Sequence, residues 1–189
     1  LFIFTNLWWL IPVVKVSTEV LPQQHSAEDN ISTLINISKQ TILPFTLQYA
    51  NPFYLFYTQE LGKIYTNFIF RILPWIPAVV IFIGLLVSLK SKVLAGFGLS
   101  YLLAILIAKG AANPFGYPYI WGFMNTFFIG VIRNPFEKLG ILLPFFGSIL
   151  FAVGLDLIYI YSKRKFGIFI SKFLLATILI SVLIYAFPM

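Results

Sequence analysis

Four charged residues, Lys109, Arg133, Glu137 and Lys138, lie in a stretch that is otherwise rich in proline, glycine and aromatics. Only 10% of the 189 residues are charged, and charges kept among apolar neighbours invite a functional reading. Arg133 offers a planar fork of donors, while Lys109 and Lys138 offer compact ammonium groups. Asn134 precedes Pro135 and is biased away from helix, so the chain breaks there and Glu137 and Lys138 enter a new first turn. A guanidinium, an ammonium and free backbone N–H groups at one helix N-terminus suit a phosphate. The competing reading pairs Arg133 with Glu137 and makes both of them anchors for the helix that follows.

Other chemistry is sparse. The chain has no Cys and one His, His25, which argues against disulfides, thiolate sites, His-based metal centres and Ser-His triads. No metal and no cofactor is expected. Glu28 and Asp29 could act as general bases, or could sit at a helix N-terminus where acids complement the dipole. Asn30-Ile31-Ser32 and Asn36-Ile37-Ser38 match the glycosylation acceptor pattern, a tripeptide that chance often produces.

The elements that position these residues follow from apolar length. The chain is 60% hydrophobic with mean hydropathy +0.93, more apolar surface than a soluble domain of this size can hide. The fold class is therefore an all-α polytopic membrane protein. Four stretches approach the roughly 20 apolar residues of a span: 72–89, 93–108, 139–162 and 166–187. Residues 1–14 read as a truncated N-terminal span, so the chain is expected to be a fragment of a longer protein, without a signal peptide. The net charge of +7 is scattered along the flanks of the spans, which argues against nucleic acid as a partner.

This divides the chain into a truncated span (1–14), an outer loop (15–71), a transmembrane hairpin (72–108), a second outer loop (109–138) and a second hairpin (139–189). The short basic turns Lys90-Ser91-Lys92 and Lys163-Arg164-Lys165 mark the cytoplasmic side. Two spans and one long loop separate them, which puts both on the same face. Loops 15–71 and 109–138 are then extracytoplasmic, with the plasma membrane as the setting. The first loop predicts a surface helix over 27–40, capped by Ser26 and carrying Ile31, Leu34 and Ile35 on one face. In the second, the apolar run 119–132 is too short to cross and predicts an interfacial or re-entrant helix.

Asp156 is the only acid within a span, eight residues before Arg164, and Lys172 lies eight residues after it. At ~1.5 Å rise per residue both reach a similar depth, which predicts a structural ion pair between neighbouring helices. Pro144 predicts a kink near the outer end of its span.

The second loop resembles one found in GT-C type membrane glycosyltransferases, the branch with arabinofuranosyltransferase-like membrane domains and the related YfhO-like multi-span proteins. The residues that carry the resemblance are Lys109, Gly110, Pro114 and Gly116, then Tyr119 and Trp121, then Ile132, Arg133, Pro135 and Lys138. Asn6-Leu7-Trp8-Trp9-Leu10-Ile11-Pro12 also looks like that family's pattern at the outer end of an earlier span. Ile132 departs from the more frequent Phe, and Lys138 is offset from Pro135 by a residue.

The resemblance implies transfer of a sugar from a polyprenyl-phosphate donor to a glycan or lipid acceptor on the outer face, with membrane lipid as the surroundings. It implies that Arg133, Lys138 and Lys109 hold the donor phosphate and that Tyr119 and Trp121 contact lipid or sugar. The family's catalytic acid would lie upstream of Leu1, so no catalytic residue is assigned. A transporter or flippase-like protein, or a non-enzymatic assembly subunit, is the alternative.

Overall fold

In this computed structural model the described residues are 27–39, 43–47, 67–125, 136 and 139–186. They are helical, with no strand among them. The helices are α1 (Ala27–Ser38), α2 (Leu43–Leu47), α3 (Phe68–Ile72), α4 (Trp75–Ser88), α5 (Lys92–Ala108), α6 (Gly116–Asn125) and α7 (Leu142–Ala186).

Asn67 caps α3 by accepting a bond from the Ile69 N–H at 3.2 Å. Leu73 and Pro74 interrupt the run, and Pro77 falls in the first turn of α4, where a missing N–H costs little. Pro144 likewise falls in the first turn of α7, so the kink expected there has no helical bond to break. The bend in α7 comes instead at Gly167, whose φ of 85° and ψ of 173° lie in a region open almost only to glycine.

That bend reverses the chain. Ile158, nine residues before Gly167, and Leu174 and Ile178, seven and eleven after it, line one groove together with Ile72, Trp75, Ile76, Val79, Val80 and Ile83. A straight helix would hold Ile158 and Ile178 about 30 Å apart. α7 is therefore two arms, 142–166 and 168–186, folded against each other. Ser162 and Ser171 are buried on either side of the bend, and the Ser171 hydroxyl donates to the Gly167 carbonyl at 2.7 Å. The basic triplet 163–165 lies on the last turn of the first arm, and the reversal comes after it.

The first arm crosses α4 by backbone contact. A Cβ added at Gly84 would fall 1.9 Å from the Leu150 carbonyl oxygen, and one added at Gly154 would fall 2.1 Å from that of Val80. Small residues at a crossing let two helix backbones approach closely and gain dispersion contacts. Residue numbers rise along α4 as they fall along the arm, from Val80 beside Gly154 to Gly84 beside Leu150. With Ile158 beside Ile76 and Val79 in the groove, this makes the two helices antiparallel.

The turn 89–91 folds α5 back along α4, with Gly98 against Ser88 and Leu85. α5 then runs parallel to the first arm, and Phe97 meets Phe146 at a centroid separation of 6.3 Å. Leu47, Ile81, Tyr101, Ala104, Ile105, Ala108, Leu143 and Leu150 form the core of this stack.

Two expectations change as a result. The basic turns do not share a face, because Lys90–Lys92 stands at one end of α4 while the 163–165 turn stands beside the other. Four separate spans are not what the helices supply either. Two segments, Phe68–Ser88 and Leu142–Tyr185, are long and apolar enough to cross a membrane, and α5 is shorter at 17 residues. Only 28% and 11% of their most apolar windows are buried, so both present apolar surface outward.

Candidate functional site

The chain leaves α5 at Lys109, and the local geometry there is unusual. Lys109 takes the helix C-cap position, its N–H bonded to the Ile105 carbonyl at 3.1 Å. Gly110 follows at φ 59°, the left-handed conformation that ends many helices. Residues 111–115 then curl back, through a cis Asn113–Pro114 bond and Phe115 at φ 65°. The Lys109 ammonium sits inside this curl and donates to the carbonyls of Ala112 and Pro114. The side chain is only 1% exposed, and burial lowers its pKa from the usual lysine range.

Gly116 closes the curl. A Cβ there would fall 2.1 Å from the Ala111 carbonyl oxygen, so α6 can start this close to the loop only with glycine. Two faces of α6 then diverge. Tyr119 and Phe123 are buried against Leu34 of α1, with Ile107, Ala111 and Ile120 around them. Burial pushes the Tyr119 hydroxyl up to about 12. Tyr117, Trp121 and Met124 lie on the opposite face and are exposed, Trp121 to 59%.

α1 occupies the stretch predicted for a short helix, and its Leu34 is fully buried. One polar tie fixes it to the loop, the Ser38 hydroxyl accepting the Ala111 N–H at 2.9 Å. Sequence reading treated Leu34 as one residue of an amphipathic face on the bilayer surface. The structure instead turns that face toward α6, 85 residues further along the chain.

The predicted site residues separate accordingly. Lys109 and Tyr119 belong to one buried unit, and Trp121 points away from it. In this arrangement Lys109 holds its own loop and is closed off from an outside phosphate. Arg133, Glu137 and Lys138 lie outside the described residues, as do His25 and the side chains of Glu28 and Asp29.

Asp156 and Lys172 do not form the expected pair. Both are exposed, and among the described residues neither has an ionic partner. The displaced bend explains this. Asp156 is eleven residues before Gly167 and Lys172 five after it, a depth mismatch of ~9 Å. Among the described residues no group of acidic or His side chains could hold a metal ion.

Compared with protein-family models, curated proteins and solved structures, the chain matches none of them.

Proposed function

We propose that this chain is the membrane-embedded part of a glycosyltransferase that takes its sugar from a polyprenyl-phosphate donor on the extracytoplasmic face. In this reading the two span-length segments, α3–α4 and α7, lie in the plasma membrane. The arms run 25 and 19 residues, or ~37 and ~28 Å, against a hydrocarbon core of about 30 Å. The outward apolar surface of the span-length helices supports this, because a core helix of a soluble protein would be mostly covered.

α1, α6 and the Lys109 loop lie at the end of α5 away from the Lys90–Lys92 turn, and the start of α7 lies beside that turn.

The observation that carries the enzymatic reading is that Lys109, Gly110, Pro114 and Gly116 form a single closed turn. These are the residues of the glycosyltransferase-like motif, and each has a structural task there: an ammonium, a left-handed residue, an accepting carbonyl and a close approach. The turn starts α6 in a fixed direction and leaves Trp121 outward for lipid or sugar. Arg133 and Lys138 are then the cations for the donor phosphate, with Lys109 shaping the loop from which they follow.

Replacing Arg133 by Ala in the complete protein and measuring sugar transfer from a polyprenyl-phosphate donor tests this. Transfer should fall at least tenfold, the cost of about 1.4 kcal/mol of lost phosphate binding. Unchanged turnover refutes the donor site.

A second reading, an assembly subunit, draws on Asp156. An exposed carboxylate midway along a span, with no ionic partner among the described residues, is costly in lipid, and a basic residue on a partner helix would relieve it.

A further inference from the structure

The bend in α7 brings together two features that the donor reading does not use. The first is a cluster of cations. Lys163, Arg164 and Lys165 are consecutive and exposed, and the only acid on α7 is Asp156, seven residues away. Two of the ammonium groups rest near aromatic rings of their own helix, Lys163 Nζ at 5.6 Å from the Tyr159 centroid and Lys165 Nζ at 5.3 Å from that of Phe166. This holds them at the apex.

The second is the groove between α4 and the two arms, about 360 Å³ and walled by nine apolar side chains. Ile158, five residues before Lys163, brings its wall to within ~8 Å of the apex along the first arm.

We infer that the α7 apex and this groove form one binding site for an anionic phospholipid, whose phosphate sits among Lys163, Arg164 and Lys165 while an acyl chain lies against Ile72, Trp75, Ile158 and Leu174. The geometry fits an amphiphile. A soluble anion would leave the groove unfilled, and a neutral lipid would leave three adjacent like charges with no counterion among the described residues. Cations at a membrane surface favour anionic headgroups by roughly fivefold per charge. The site rests on the membrane reading and is independent of sugar transfer.

Trp75 lines the groove and is partly exposed, which provides a probe. The full chain is reconstituted in nanodiscs containing phosphatidylcholine with either phosphatidylglycerol or more phosphatidylcholine as the brominated component. Trp75 emission is taken as the difference between the parent and Trp75→Phe.

Quenching should be several-fold stronger with brominated phosphatidylglycerol. The preference should vanish in Lys163→Gln/Arg164→Gln/Lys165→Gln and survive in the charge-preserving Lys163→Arg/Arg164→Lys/Lys165→Arg. Equal quenching by the two lipids in the parent, or an unchanged preference in the Gln variant, overturns the site. Abolition of the preference by millimolar inorganic phosphate would assign the apex to a free anion and also overturn it. A chain that fails to enter the bilayer sinks the membrane reading as well, which separates the two failures.

Discussion

The α4–α7 crossing and the cap formed by α1, the Lys109 loop and α6 solve the same packing problem differently. At the crossing, two glycines bring backbone onto backbone, and the interface is otherwise apolar. In the cap a glycine also permits close approach, at Gly116, but buried polar bonds fix the geometry. The ammonium of Lys109 gathers two carbonyls, and Ser38 ties down a third segment. An apolar crossing tolerates a change of charge state nearby and resists added volume. A polar cap resists added volume too, at Gly116, and responds to loss of a charged donor as well.

The largest effect should come from volume at the crossing. Gly84→Ala places a methyl group on the Leu150 carbonyl and should cost at least ~3 kcal/mol, the upper part of the usual overpacking range. Thermal or denaturant unfolding in detergent would measure it. Gly96 is the control on the neighbouring helix, with nothing within 4 Å of an added Cβ. Gly96→Ala should gain ~0.5–1 kcal/mol from helix propensity. Equal effects at the two positions would show that the crossing is not close-packed.

A smaller loss is expected in the cap. Lys109→Met keeps the length of the side chain but strands the Ala112 and Pro114 carbonyls, at ~1–3 kcal/mol. Hydrogen exchange should rise at the start of α6 and leave α4 unchanged. If exchange rises in both, the two regions unfold as one unit and the contrast is lost.

The smallest effect is in pH. Tyr119 keeps its proton in the folded chain to about 12, above its unfolded value of 10.0. Its contribution is therefore complete below pH 10 and is lost as pH rises toward 12. The slope cannot exceed ~1.4 kcal/mol per pH unit. Lys109 has the opposite sign, since its lowered pKa means that raising pH toward 10.5 relieves the burial of its charge. Stability measured from pH 9 to 12 should fall at the alkaline end, and Tyr119→Phe should flatten that fall. No change on substitution would mean that the ring titrates as if exposed.

Much of the fold was legible because apolar length and helix signals act locally. The helix over 27–38 and the turn after Ser88 follow from capping residues, periodicity and charge. The hairpin after residue 142 was legible as a hairpin, and its bend was misplaced by a few residues. Basic residues mark where a chain meets the interface, whereas the reversal needs a positive φ, and only Gly167 supplies one there. That shift was enough to separate Asp156 from Lys172. In the cap, the Lys109 motif was visible as a motif, and its spacing carried no sign that the ammonium turns inward.

The sequence by itself determined a helical, strongly apolar chain with one charged and aromatic loop, because hydrophobicity and helix propensity are sums over neighbouring residues. Only the tertiary structure decided that α4 runs against the first arm of α7, that Leu34 packs on Tyr119, and that Lys109 serves its own loop. The first two depend on surfaces that meet across 66 to 85 positions of chain, and the third on how the backbone curls, and none of them leaves a period in the chain to read.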